Sequence, residues 1–276
     1  MTKTTPLYLR VPIYLLLIAG AVFMVFPFIW MLSTSLKTVG AISQMPPQLI
    51  PNPLNWENYT TIWSKVDFGR YTWNSFFLVA LEMVGALLSC SMVAFGLAMF
   101  KFKLRGPIHL VMLATLMIPS QVTMIPTYFI WKQFHALNSY YPLVIPSYLG
   151  SAFGIFLMLQ YLRSLPKELY ESATIDGCSP PGIFFRIYLP LCRPALAALG
   201  VFTFMGAWNN TLGPLIYLQD KHLYTLPLGL LYLKSENVNQ ALLMAGAVVT
   251  TLPVVIVYLF AQKQFVQGIA STGLKG

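Results

Sequence analysis

The sequence predicts an all-α integral membrane protein of six transmembrane helices, with a short polar helix inserted between the fourth and fifth. Three observations carry that expectation. Of 276 residues, 57% are hydrophobic and 9% charged, outside the range of a soluble domain of that length. Six windows supply the roughly 20 mostly apolar residues needed to cross about 30 Å of hydrocarbon: residues 11–32, 73–99, 107–131, 143–162, 195–218 and 241–261. Within each window apolar residues run continuously rather than alternating, so helices satisfy the backbone in lipid where barrel strands would not.

Residues 1–10 read as a cytoplasmic N-terminus. The window 11–32 is too long for the core of a secretion signal and meets no small-residue cleavage site before Ser33, so it is a retained span. Residues 37–70 are external. Their proline-rich run Met45–Pro53, followed by Trp56–Tyr59, reads as an ordered but irregular cap, either a surface linker or a contact for an external partner. The turn Lys101–Gly106 is short, which makes the second and third spans antiparallel neighbours. Pro119 and Pro126 interrupt the third span and Pro253 the sixth, freeing backbone carbonyls that neighbours or a water-filled path must satisfy. Trp30, Trp73, Trp131, Tyr140, Tyr141, Tyr217 and Tyr224 cluster at the outer ends as an interfacial belt rather than a sugar-stacking surface.

The net charge of +9 does not point to nucleic acid, because the basic residues are spread over loops instead of one face. With both termini inside, eleven of them (Lys3, Arg10, Lys101, Lys103, Arg105, Arg163, Lys167, Arg186, Arg193, Lys263, Lys275) are cytoplasmic and six (Lys37, Lys65, Arg70, Lys132, Lys221, Lys234) external, as the positive-inside rule requires. Three cysteines, Cys90, Cys178 and Cys192, without a C-x-x-C pair, suggest neither a disulfide framework nor a metal site, and Cys90 reads as packing.

The segment Glu168–Cys178 stands out as polar between two very apolar stretches. Pro166 suits a first helical turn, Glu168 and Glu171 suit the positive end of a helix, and Gly177 supplies a C-terminal stop. The expected helix is about three turns long. Leu169 and Ala173, flanked by Tyr170 and Thr174, form an apolar stripe too short and too charged to enter a bilayer, so the stripe needs a partner.

The spacing Glu171-Ser172-Ala173, Asp176-Gly177, Ile187 and Leu189-Pro190 resembles the "EAA" loop of ABC importer permease subunits. Asn74–Ala80, Met117–Pro126, Trp208–Ile216 and Gln264–Gly276 extend the resemblance over nearly the whole chain, toward the carbohydrate-uptake, MalG-like branch of binding-protein-dependent transport inner membrane components. That resemblance implies a bacterial inner-membrane location and a coupling loop, residues 163–194, in which Glu168, Glu171, Ser172, Ala173, Asp176, Gly177, Gly182, Ile187 and Pro190 dock on an ATPase subunit. It implies that the cytoplasmic tail 263–276, with Gly268, Thr272, Gly273 and Lys275, reaches between two ATPase subunits. The implied partners are a second, homologous permease subunit in a heterodimer, two ATPase subunits and an external solute-binding protein, with a sugar, an oligosaccharide in first place, as solute. ATP and Mg would sit on the ATPase subunits, and no cofactor on this chain. Ser172, Cys178 and Gly213 depart from the family pattern, and Gly213 is expected to widen the solute path near the outer half of span five.

No phosphate-binding G-x-x-x-x-G-K-[ST] occurs, so the chain does not cradle nucleotide itself. Glu82 lies about 14 Å along a helix from Trp73, near the membrane midplane. A central acid costs about 2.5–3.5 kcal/mol on insertion scales, so it borders a solute cavity or bonds to a partner helix or to Ser89 or a threonine. Gln121 and Thr123, between the two prolines of span three, and Trp208, Asn209 and Asn210 in span five suit a neutral sugar, but a gate or packing role is favoured for them. A self-sufficient secondary carrier is the alternative; it requires inverted repeats and several membrane acids, and only Glu82 is present. A membrane enzyme would require His, Asp or Cys clustered at one depth, and none is. Polyol and glycerol-3-phosphate importers share the pattern, so the solute stays open.

Overall fold

The computed structural model describes residues 7–236 and 238–273, with side chains for all of these except 7–9, 65 and 263–273. The described residues are helical and contain no strand. In chain order the helices are α1 (Leu7–Ser35), α2 (Val39–Ile42), α3 (Glu57–Lys65), α4 (Phe68–Met99), α5 (Arg105–Thr115), α6 (Ser120–Gln133), α7 (Tyr141–Tyr148), α8 (Ala152–Ser164), α9 (Glu168–Ile175), α10 (Pro180–Ile183), α11 (Leu189–Leu191), α12 (Arg193–Trp208), α13 (Leu212–Tyr217), α14 (Leu226–Ser235) and α15 (Gln240–Gly273). A π-helical turn, Phe184–Tyr188, joins α10 to α11.

Four stretches are long and apolar enough to cross a membrane: Arg10–Ser35, Phe68–Met99, Tyr141–Ser164 and Gln240–Gln262. The other two expected spans are broken. In place of a continuous 107–131, α5 and α6 meet at 102°. Pro119 is the cause: it has no N–H for the preceding turn and drives Ile118 away from helical geometry, and itself adopts an extended ψ of 133° as the N-cap of α6. Pro126 and Pro253, expected to interrupt their spans, instead lie inside α6 and α15. The expected span 195–218 ends early, at Trp208, and resumes as α13 after Asn209–Thr211.

The described part of the chain divides into two compact units. The first comprises Met1–Phe68 with Leu230–Leu252. Here α1 keeps its apolar side chains exposed, with Leu16 at 75% and Phe23 at 82%. The segment after it is ordered by polar contacts to the end of α1. Asn58 Nδ2 donates to the carbonyls of Ser35 at 2.8 Å and Lys37 at 2.9 Å, and the Asn55 N–H donates to Leu36 at 2.8 Å. The Lys37 ammonium sits 4.4 Å from the Trp30 ring centroid, a favourable cation–π contact.

The second unit, Gly69–Gly229 with Pro253–Gly276, is organised along α4. Toward its C-terminal end Cys90, Ala94, Phe95 and Leu97 pack with Ile155, Met158, Leu159 and Leu162 of α8 and with Ala195 and Leu199 of α12. Cys90 is fully buried there, as packing. About 26 Å away along α4, Leu78 packs with Leu143, Tyr217 and Leu218. At that second end Asn74 Nδ2 donates to the carbonyls of His222 and Tyr224, both at 2.9 Å, and Ser75 Oγ accepts the Leu226 N–H at 2.7 Å. The connection between α13 and α14 is thereby fastened to the start of α4.

Candidate functional site

The polar helix is real but shorter than expected. It spans eight residues, Glu168–Ile175, about 12 Å or slightly over two turns. Its end is a Schellman stop: the Cys178 N–H donates to Ala173 O at 3.0 Å and the Gly177 N–H to Thr174 O at 3.1 Å. Gly177 has φ +79°, the left-handed conformation that a residue with a Cβ adopts at a cost. Glu168 and Glu171 lie in the first turn, where the helix dipole favours them. Asp176 is the C-cap, at the end where the dipole disfavours an anion, so its charge does not serve the helix.

The stripe expected to seek a partner faces inward instead. Ala173 is only 6% exposed, and Leu169 and Tyr170 pack with it against the chain's own core. The anchor is Phe95, whose ring centroid lies 6.2 Å from Tyr170, 5.2 Å from Phe184 and 5.3 Å from Tyr188. A short helix is stable in isolation only marginally, so this apolar cluster is what holds α9 helical. The opposite face is open: Glu168, Glu171, Ser172 and Asp176 are exposed, and Ile175 is 86% exposed among them. The Ser172 hydroxyl donates to Leu169 O within the helix, at 3.4 Å.

Beyond α9 the chain turns through Gly177 and Cys178 into α10, whose first turn is capped by the Ser179 hydroxyl accepting the Gly182 N–H at 3.4 Å. Ile187 is partly buried against the same core. Pro190 stands in the first turn of α11. Past Cys192, the segment Pro180–Leu191 meets α12 at 79°. The motif positions from Glu168 to Pro190 therefore share one end of the second unit. In the tail, Gly268, Thr272 and Gly273 fall in the last turns of α15, where side chains are not described, and Lys275 lies outside the described residues.

The polar residues of the spans do not form one cluster. Glu82 is half-buried on the α4 stripe that runs Leu78, Glu82, Gly85, Ser89, and among the described residues it has no hydrogen bond or ion pair. The Ser89 hydroxyl donates to Ser147 O at 2.8 Å, and so is not the partner of Glu82. Gln121, Thr123 and Asn209 are exposed at the two helix breaks. Trp208 offers no open face: it is 1% exposed, stacked on Phe204 at 5.6 Å and tilted against Phe76 at 4.8 Å. Asn210 Oδ1 accepts the Gly213 N–H at 3.0 Å, starting α13. Gly213 does not widen a path. A Cβ there would lie 2.8 Å from Asn210 Nδ2 and 3.0 Å from Leu143 Cδ2, so glycine is what lets α13 close on α7. Among the described residues no three His, Cys, Asp or Glu side chains come together to hold a metal.

Sequence reasoning missed Phe95 and Ile175. Phe95 is one of many phenylalanines in apolar runs and carries no local signal. Ile175 does: it is the one large aliphatic residue on a helix face otherwise of Glu168, Glu171 and Ser172.

Known proteins share both the sequence and this architecture. Residues 86–271 match the family described as binding-protein-dependent transport system inner membrane component. The arabinooligosaccharides transport system permease protein AraQ of Bacillus subtilis (strain 168) is 34% identical over 97% of this chain and 96% of its own length. The diacetylchitobiose uptake system permease protein NgcG of Streptomyces coelicolor is 35% identical over 94% of this chain and 86% of its own. A chain from the crystal structure of a bacterial ABC transporter involved in the import of the acidic polysaccharide alginate superposes with a TM-score of 0.85 at 23% identity, covering 95% of this chain and 99% of that one, and so has the same fold. The chain belongs to the binding-protein-dependent transport system inner membrane components.

Proposed function

We propose that the chain is a permease subunit of an importer that moves a sugar, an oligosaccharide in first place, across the bacterial inner membrane. ATP hydrolysis on separate subunits drives it, and the drive enters through α9. One observation carries this reading: α9 is fixed to its own bundle along Leu169, Tyr170 and Ala173 and open to another molecule along Glu168, Glu171, Ser172, Ile175 and Asp176. An exposed isoleucine ringed by acids has the anatomy of an interface anchor with a polar rim, and an acid at the disfavoured end of the helix is explained by a partner that needs it.

The partners on this reading are a second, homologous permease subunit, two ATPase subunits that bind ATP and Mg, and an external solute-binding protein. Both termini face the cytoplasm, as does α9, and the tail from Gly268 to Lys275 reaches toward the ATPase pair. Closure of those subunits moves α9 as a rigid body; the motion passes through residues 176–193 into α12 and reorients the broken spans. Gln121, Thr123 and Asn209 border the solute path, while Trp208 and Asn210 serve packing. The names of the related permeases support an oligosaccharide as solute.

The test is reconstitution with the neighbouring gene products and uptake of labelled arabino-oligosaccharides and N,N′-diacetylchitobiose. The reading expects an ATPase subunit to co-purify, and Glu171→Lys or Ile175→Asp to abolish uptake while the chain still inserts. Co-purification without an ATPase, together with undiminished uptake by both variants, would overturn it.

A further inference from the structure

On the second unit α4, α12 and α15 enclose a groove of about 350 Å³, and every residue lining it is apolar. Its shape comes from one glycine. Leu196 and Phe204 stand four residues to either side of Gly200 and line the groove with it, while Met83 and Leu87 of α4 and Val257 of α15 complete the lining. A Cβ at Gly200 would lie 3.5 Å from Met83 Cε and 3.9 Å from Leu87 Cδ2, so these two side chains are the floor. Water or a sugar would find nothing here to bond. A second helix in close approach needs small residues four apart along its contact line; a single glycine between two large side chains makes a notch, not a track.

The same stripe of α12 begins on a cation. Arg193 is the first residue of α12, and helical spacing places it on the face of Leu196, Gly200 and Phe204. It is exposed, and among the described residues it makes no hydrogen bond or ion pair. From Arg193 to Phe204 is about 16 Å along the helix, half of the roughly 30 Å of hydrocarbon in a bilayer, so the stripe spans one leaflet. α4 gives the same depth, since Met83 adjoins Glu82, which its distance from Trp73 puts near the midplane. A guanidinium at the membrane surface suits a phosphate, and an apolar notch running from it to the midplane suits a hydrocarbon tail. The loops at that end carry Lys101, Lys103, Arg105, Arg163, Lys167 and Arg186 against Glu168, Glu171 and Asp176, a surplus that favours a net-negative headgroup. We infer that the groove holds one acyl chain of an anionic phospholipid from the leaflet on the α9 side, with its phosphate bound by Arg193. The inference requires only that the chain sit in a bilayer, and it stands apart from the coupling role of α9.

The experiment is photolabelling of the assembled transporter in nanodiscs by phosphatidylglycerol with a diazirine on one acyl chain, the labelled residues being located by mass spectrometry. Phosphatidylcholine with the same chains is the comparison probe. In the wild type, phosphatidylglycerol should label residues 83–87 and 196–204 at least about tenfold more than phosphatidylcholine does, while the exposed α1 takes both probes alike. Gly200→Leu fills the notch, its Cβ meeting Met83 and Leu87 at ordinary contact distance, and should remove the labelling at 83–87 and 196–204 without changing that of α1. Arg193→Gln should lower phosphatidylglycerol labelling to the phosphatidylcholine level. Equal labelling of 196–204 by the two probes in the wild type overturns the inference, and this comparison decides it alone if Gly200→Leu does not fold. Undiminished labelling in a folded Gly200→Leu protein also overturns it. So does labelling of 196–204 that is present in the isolated subunit and lost on assembly, which would put another subunit in the groove.

Discussion

Replacing Ile175 by alanine tests the orientation of α9 most directly, because the sequence and the structure disagree about which face meets a partner. Ala173 and Ile175 are two residues apart, yet Ala173 is 6% and Ile175 86% exposed. If the open face docks, truncating Ile175 removes three carbons from an interface, each worth about 0.8 kcal/mol when buried. With incomplete burial the loss is about 2 kcal/mol, or roughly a 30-fold weaker affinity for the ATPase subunit. Fold stability should hardly change, because the side chain touches little of its own chain. Titrating the solubilised permease pair with purified ATPase subunit, alongside thermal unfolding of the permease pair alone, reads both quantities. An Ile175→Ala protein that binds with wild-type affinity refutes the assignment of the docking face. One that binds normally but unfolds earlier would show instead that Ile175 belongs to the fold.

Other outcomes follow from the same geometry. Cys178 is exposed, whereas Cys90 and Cys192 are buried, so maleimide should modify one thiol in the native subunit, and assembly with the ATPase should slow that reaction at least about tenfold if docking covers the α9–α10 turn. Gly177→Ala meets no atom within 4 Å and should cost only the left-handed backbone term, about 1 kcal/mol, readable as a lower unfolding midpoint without loss of insertion. Asn74→Ala removes two hydrogen bonds to the carbonyls of His222 and Tyr224; at about 1 kcal/mol each it should destabilise the second unit by roughly 2 kcal/mol and expose residues 219–225 to proteolysis. Gly213→Phe should fail to restore any narrowing of a path and should instead unfold the start of α13, seen as a fall in the midpoint exceeding that of Gly177→Ala.

The membrane character of the chain, its helical class and the location of α9 were legible because each rests on a local signal: continuous apolar windows, a Pro and two acids before a stripe, a glycine after it. What was not legible depends on which neighbour a face meets. The stripe Leu169–Ala173 has the same periodicity whether it packs on Phe95 of the same chain or on another protein, and periodicity cannot distinguish them. Prolines mislead in a similar way. Pro119 stands at the break in its span with an extended ψ of its own, while Pro126 and Pro253 are accommodated within α6 and α15; the ring costs the same local bond in each case, and the surroundings decide whether the helix goes on. Gly213 looked like missing bulk, but it is a close approach to Leu143 as well as to nearby Asn210, and the relation to Leu143, 70 positions away, is one that no local reading contains.

The inward anchoring of α9 has a mechanical consequence that a helix held only by its partner would lack. A docked element transmits displacement into a bundle only if it is tied more firmly to that bundle than the bundle is to its resting shape; otherwise α9 would swing with the partner and leave α12 behind. Leu169, Tyr170 and Ala173 tie it to Phe95, and Phe95 in turn meets Phe184 and Tyr188 on the chain leading into α12. Phe95 therefore links the helix that receives the drive to the segment that passes it on. Phe95→Ala, which opens a cavity among the rings, should cost about 3–5 kcal/mol of stability, so the informative change is Phe95→Leu. This variant keeps most of the volume and loses the edge-on ring contacts, each worth about 0.5–1.5 kcal/mol. It should leave ATPase binding to the assembled transporter near normal, because Ile175 and its acidic neighbours are untouched, while solute moved per ATP hydrolysed falls. A Phe95→Leu transporter with an unchanged ratio of uptake to hydrolysis would mean that the drive reaches α12 by some route other than this cluster.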